Sequence, residues 1–355
     1  MKAILNLLGI VVVLGILWLI SWKRKDVSFK MLLKGMIAQF IIALILVKVP
    51  AGRMVVSKIS DAVTGVINCG SNGLSFVFGS LADSSAPTGM IFAVQVLGNI
   101  VFLSALVSLL YYIGVLNFVV KWIGKAVGWI MGSMSVSILG GYTALGIPME
   151  YLLIASALVP IGSIMVSKII FPQTEEVHEV GDIKMDNKGN NANVIEAVSE
   201  GAVTGMQMAL SMGASLIAMV ALVALINKGL GVFGISLEQI FSYVFAPFGA
   251  LMGLDPSEIL MEGNLLGSKL VINEFVAFEQ LGKIISSMDP RTAIMATISL
   301  CGFANFSSLG ICVSGIGILC PEKKSTLARL VFRAMIGGVA VSLLSAMTVG
   351  FIMLF

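Results

Sequence analysis

The string Gly267-Ser268-Lys269-Leu270-Val271-Ile272-Asn273-Glu274-Phe275-Val276-Ala277-Phe278 sets a carboxylate beside an amide in an apolar run. About thirty residues on, Cys301-Gly302-Phe303-Ala304-Asn305-Phe306-Ser307-Ser308-Leu309-Gly310-Ile311 interrupts a second apolar run with small and polar side chains. A charged side chain at membrane depth costs about 2.5–3.5 kcal/mol on insertion scales, so a polar string between membrane spans marks a substrate or ion pathway. Working outward, the flanks are such spans. The chain is 58% hydrophobic and 12% charged, with a mean hydropathy of +1.02, more apolar surface than one water-soluble core can bury. The sequence therefore predicts an all-α polytopic membrane protein.

Apolar stretches of spanning length lie at about 4–20, 31–50, 90–113, 133–147 running on into 149–172, 202–227, 291–319 and 329–354. With short or broken members counted, these make about eight transmembrane helices. The first is followed by Lys23-Arg24-Lys25 and not by a small-residue cleavage site, which reads as a retained span. Lys23, Arg24, Lys25, Lys30, Lys121, Lys125, Lys184, Lys188, Lys323, Lys324 and Arg329 all fall on one side if both termini are external. The positive-inside rule then makes that side cytoplasmic.

Composition also excludes partners. A net charge of +3 without a basic patch predicts no nucleic acid. Cys69, Cys301, Cys312 and Cys320 lack CxxC spacing and read as small buried hydrophobes, and the single His178 stands alone in a polar loop, so neither disulfide nor metal chemistry is expected. The organisation is read as residues 1–87, N-terminal transmembrane and interfacial helices; 88–172, a first repeat; 173–194, a polar cytoplasmic linker; and 195–355, a second repeat carrying the polar motifs. Segments 51–89 and 114–131 are Gly-rich and less apolar, as helices at the headgroup level would be.

Between the spans at 202–227 and 291–319, the stretch 236–285 is broken by Gly253, Pro256, Gly263 and Gly267. This predicts a re-entrant hairpin with Glu274 near its tip, because irregular backbone survives at membrane depth only where protein or a water-filled cavity surrounds it. In the next span, Gly302, Asn305, Ser307, Ser308 and Gly310 allow the helix to unwind and offer carbonyls, amides and hydroxyls to a ligand. Broken helices build transporter sites in this way.

Both strings resemble the signature sequences of the concentrative nucleoside transporters, and Leu139-Gly140-Gly141-Tyr142, Pro172-Gln173-Thr174-Glu175-Glu176 and Pro321-Glu322 extend the likeness along nearly the whole chain. The resemblance implies inverted repeats with broken helices. It implies a nucleoside substrate whose ribose hydrogen-bonds Glu274, Asn305 and Ser308, with Asn273 alongside and Phe303 packing against the nucleoside. It implies no organic cofactor, sodium or proton as the coupling ion, and Ser137 and Ile138 as part of a sodium site. A homotrimer in membrane lipid is the assembly it suggests.

The chain departs from that family in one place. The second repeat spans about 201–355 but its partner only about 88–172, and 114–132 has room for an interfacial helix and nothing more. The family's first re-entrant hairpin, with a Gln-Thr-Glu string that reads the base and a tip that completes the sodium site, has no counterpart there. Gln173-Thr174-Glu175 lies at the end of a later span and is a different feature. The function expected is ion-coupled nucleoside symport by alternating access in the bacterial inner membrane, with no enzymatic activity. The alternatives are a transport-defective or repurposed relative lacking the hairpin and, in another class, a membrane-embedded hydrolase using Glu274, which no neighbouring His or metal cluster supports.

Overall fold

The structure is a computed structural model describing residues 1–83, 85–115, 142–143, 145–172, 191–306, 308–309, 313, 322 and 324–355. Every regular element among them is helical. Besides four short 3-10 turns, the α-helices in chain order are α1 (Lys2–Leu19), α2 (Phe29–Val47), α3 (Pro50–Phe78), α4 (Phe92–Gln95), α5 (Leu97–Tyr112), α6 (Met149–Ile170), α7 (Val194–Leu230), α8 (Leu237–Leu251), α9 (Pro256–Val271), α10 (Glu274–Gly282), α11 (Pro290–Leu300) and α12 (Lys324–Ile352). Six stretches are long and apolar enough to cross a membrane: α1, α2, α4 with α5, α6, α7 and α12. The pair α8 and α9, bent by 120°, makes a seventh if counted as one broken span. Most of the crossing expected at 133–147 and of the second half of 291–319 lies outside the described residues. The stretch expected to hold an interfacial helix at 51–89 contains the continuous 29-residue α3.

The chain divides into two compact units. The first comprises Met1–Ser57, Gly146–Thr174 and Met219–Phe355. Its centre is α12, which packs against α1, α2, α6 and α11. The apolar window of α12 is 78% buried, against 28% for α1 and 17% for α2, so α12 is a core helix whose neighbours face outward. Small residues let those neighbours approach: Gly9 sits against Met347, Gly162 against Val341 and Gly350 against Met295. Polar groups cross the same seams. Gln39 Nε2 of α2 donates to Ser345 Oγ of α12 at 2.8 Å, and Ser345 donates on to the Val341 carbonyl.

The helices of 236–300 start where their sequence says they should. Ser236 and Gln239 cap α8 reciprocally, and Asp255 precedes Pro256 at the first turn of α9. Asn273 Oδ1 accepts from Val276 N at 3.0 Å to cap α10, and Asp289 accepts from Arg291 N and Thr292 N at 3.1 and 3.2 Å to cap α11. The region read as one hairpin therefore has two breaks. The 120° bend falls at 252–255, with Gly253 at φ +65, and a second break falls at 272–273. Glu274 stands at the second. Arg291 fastens the first: its guanidinium donates to the carbonyls of Met252, Gly253 and Gly350 at 3.0, 3.1 and 2.9 Å and to Asn6 Oδ1 at 3.2 Å.

The second unit comprises Lys58–Leu145 and Glu175–Ala218. Here the stripe Gly201, Gly205, Ala209 and Gly213 recurs every four residues along α7. Gly201 meets Ser108 and Ala105, and Gly205 meets Ser104 and Val101, so α7 lies close along α5 with Leu97, Ile100 and Ala209 as its apolar contact. Cys69, expected to be buried, is exposed on α3.

Candidate functional site

Two chain breaks in the first unit bring the polar strings together. The α10 break begins at Ile272 (φ −94, ψ −87) and Asn273 in extended conformation, which frees the first amides of α10 and puts Glu274 at its first position. The second break begins where α11 stops at Leu300. Cys301 is extended, and Gly302 takes φ +107, a left-handed conformation that a side chain disfavours, with no atom within 4 Å of where a Cβ would stand. Helical structure resumes around Phe306, Ser308 and Leu309.

Across these breaks Asn305 Nδ2 donates to Glu274 Oε2 at 2.5 Å. Asn305 Oδ1 accepts from Ser308 N at 2.8 Å, Asn305 N donates to Ser308 Oγ at 3.2 Å, and Ser308 Oγ donates to the Asn305 carbonyl at 2.7 Å. Glu274, Asn305 and Ser308 are 2%, 0% and 2% exposed. Asn273, also buried, caps α10 with its side-chain oxygen and so orients the residue that follows it. Phe303 is different, at 47% exposed. It lines a cavity of about 300 Å³ with Gly302, Ala304 and Ser308 on one wall and Val159, Ser163 and residues of α12 on the other.

The sequence thus named Glu274, Asn305 and Ser308, which the structure brings together, while Phe303 lines a cavity that Ser308 also lines. The pair Glu274 and Asn305 offers a carboxylate acceptor and an amide whose hydrogen bonds a sugar hydroxyl can replace, since charged acceptors form the stronger bonds to hydroxyl donors. Ser137 and Ile138 lie outside the described residues. Among the described residues no group of three or more His, Cys, Asp or Glu is placed to hold a metal ion.

Sequence reading missed the charges behind the site. Lys269, 1% exposed, donates from Nζ to the carbonyls of Ser299 and Cys301 at 2.8 and 3.2 Å and to Ser342 Oγ at 2.9 Å. It caps the end of α11 with a cation, where the exposed carbonyls and the helix dipole favour one. Glu262 is fully buried on the same helix, two turns earlier, 2.6 Å from Ser299 Oγ. The spacing of seven between Glu262 and Lys269 was the available signal: it sets both charges on one face of an apolar helix.

Residues 8–81 match the family described as Na+ dependent nucleoside transporter N-terminus, and residues 151–350 its C-terminus. A protein named "Uncharacterized transporter" from Haemophilus influenzae is 35% identical over 408 aligned positions, 99% of this chain and 98% of that protein. The nucleoside permease NupC of Helicobacter pylori is 29% identical over 410 positions, 98% of this chain and 97% of that one. The solved structure of CNTnw in an inward-facing substrate-bound state superimposes with a TM-score of 0.93 at 30% identity, covering 100% of this chain and 99% of that one. An alignment of 408 positions against 355 residues leaves at least 53 that face no residue here, and residues 82–150 fall in neither family match. The matched families and structures are transporters, which removes the hydrolase reading.

Proposed function

Since the chain belongs to the concentrative, Na+ dependent nucleoside transporter family, we propose that it binds a nucleoside at Glu274, Asn305 and Ser308 and carries it inward across the bacterial inner membrane. The single observation behind this reading is the buried Glu274–Asn305 hydrogen bond at two coincident chain breaks. A ribose hydroxyl donates to the Glu274 carboxylate in place of the Asn305 amide, which then turns to accept or donate to the sugar. Asn273 holds Glu274 at the start of α10, and Phe303 offers a ring face to the ligand from the adjacent cavity. A sodium ion or a proton, as co-transported cargo, supplies the gradient, and Ser137 and Ile138 are the residues assigned to sodium. Opening of the breaks toward alternate sides provides access.

The reading is tested by titrating the purified chain in detergent with uridine and adenosine in a calorimeter. Saturable heat is expected with both; no heat with either would overturn the assignment. A second reading, that the chain binds but does not concentrate its substrate, is favoured by the alignment positions that find no residue here, consistent with a first hairpin lost from 88–172. Uptake by proteoliposomes separates the two.

A further inference from the structure

Ser299 Oγ lies 2.6 Å from Glu262 Oε1 and 2.8 Å from the Ala296 carbonyl oxygen. A hydroxyl has one hydrogen, and both a carboxylate and a carbonyl only accept, so one hydrogen shared between two contacts this short serves each of them poorly. Adding a proton to Glu262 resolves the count: the acid donates to Ser299 Oγ, and Ser299 donates to Ala296. The surroundings agree. Glu262 is 0% exposed and its Oε2 has no hydrogen-bond partner, an arrangement far more costly for a carboxylate than for a neutral acid. Nor does Lys269 hydrogen-bond it, because its three donors are taken by Ser299, Cys301 and Ser342.

We propose that Glu262 is a proton-binding site at the broken end of α11, and that the proton it exchanges with solution is coupled to binding at Glu274 and Asn305. The coupling half rests on the nucleoside reading above. Among the described residues, the ionisable groups within electrostatic reach of Glu262 are Lys269 and Glu258 of its own helix. From α11 it meets Ser299, and Thr292 of the same helix bonds Glu258 at 3.0 Å; from α8, Gly249 backs its Cβ. Lys269 in turn lies within reach of Glu274 and Cys301. When Glu262 gives up its proton, the new carboxylate competes for the Lys269 ammonium. Lys269 then loosens its hold on the Ser299 and Cys301 carbonyls, and the segment from Gly302 to Asn305 loses its anchor. The protonated form is thus the one that presents Asn305 to a sugar, so nucleoside binding takes up a proton, the sign that symport requires.

The test uses the full chain in detergent and needs no transport. Infrared difference spectra should show the carbonyl band of a buried, protonated carboxylic acid, absent in Glu262→Gln and shifted in Ser299→Ala, which keeps the acid but removes its acceptor. Calorimetry with uridine, in two buffers of different ionisation enthalpy, should report proton uptake on binding by the unmodified chain and none by Glu262→Gln. The uridine Kd should rise with pH by at most about tenfold per unit, and stay flat in Glu262→Gln. An infrared spectrum unchanged by Glu262→Gln would overturn the proton site. The band without proton uptake, in a chain that binds uridine, would overturn the coupling. The band in a chain that gives no uridine heat would support the proton site and overturn the nucleoside reading instead.

Discussion

Asn305 and Glu274, 31 residues apart in sequence and each at a place where a helix has been interrupted, share a 2.5 Å hydrogen bond in a site that is almost wholly closed. Neither residue is a surface group waiting for a ligand. Each is a hydrogen-bond partner of the other.

That relationship sets the first prediction. Glu274→Gln keeps the shape but removes the charge, and should weaken uridine or adenosine binding by about 1.5–3 kcal/mol, the range for hydrogen bonds to charged groups. Calorimetry should show little change for a free nucleobase, which lacks the sugar. Equal losses for base and nucleoside would remove Glu274 from the ribose contact.

The same bond makes Asn305 a support as well as a ligand. Polar residues at depth often cost stability, but here the Asn305 amide nitrogen and oxygen are paired with Glu274 and Ser308. Asn305→Leu would take the Asn305 amide from the buried Glu274 carboxylate, so it should lower thermal stability in detergent by about 1–3 kcal/mol. Adding Glu274→Leu should recover part of that loss, because the buried carboxylate goes with its amide partner, while Ser308 N still lacks the Asn305 oxygen. A single variant more stable than the parent would show that the pair serves function alone.

Lys269→Met removes two donors that end α11 and a third that reaches Ser342 of α12. The carbonyls of Ser299 and Cys301 would be left without that partner inside the protein, and the cost should be about 1–3 kcal/mol. Uridine affinity should fall with stability, since the segment leading to Asn305 hangs from those carbonyls. Preserved affinity in a destabilised variant would confine Lys269 to a structural part.

Arg291 offers the contrast. Arg291→Lys cannot reproduce the planar fork that reaches Met252, Gly253, Gly350 and Asn6, and should cost about 2 kcal/mol of stability. Because Arg291 fastens the other break, the variant should keep the parent's uridine affinity at a temperature where both are folded. A weakened Kd would tie the two breaks together.

Concentrative uptake tests the shortened first half. On the second reading proposed above, the ion site assigned to Ser137 and Ile138 is incomplete, and proteoliposomes of this chain should then show weak or no sodium-driven accumulation of uridine. Inserting a family-type hairpin after Gly132 should restore it. Strong accumulation by the unmodified chain would mean that other residues complete the ion site.

Much of this was legible because it is local. The polarity of Asn273-Glu274 and Asn305 in apolar surroundings announced a site, and Ser236, Asp255, Asn273 and Asp289 announce helix starts by capping chemistry that needs only the next three residues. The double break of 236–285 was harder to read, since Gly and Pro show where a helix can bend but not which bend the packing will use. The Glu262–Ser299–Lys269 chain stayed hidden for a different reason. Glu262 and Lys269 share α9, but Ser299 belongs to α11, and a serine in an apolar helix does not say which carboxylate it will face.

Gly302 carries one last consequence. At φ +107 there is open space where a side chain would go, so size does not exclude a larger residue; backbone handedness does. Every L-amino acid meets the same objection there, whatever its polarity. A D-alanine introduced by semisynthesis should be accepted more readily than L-alanine, so at this break it is backbone handedness, and not space, that decides which residue can stand.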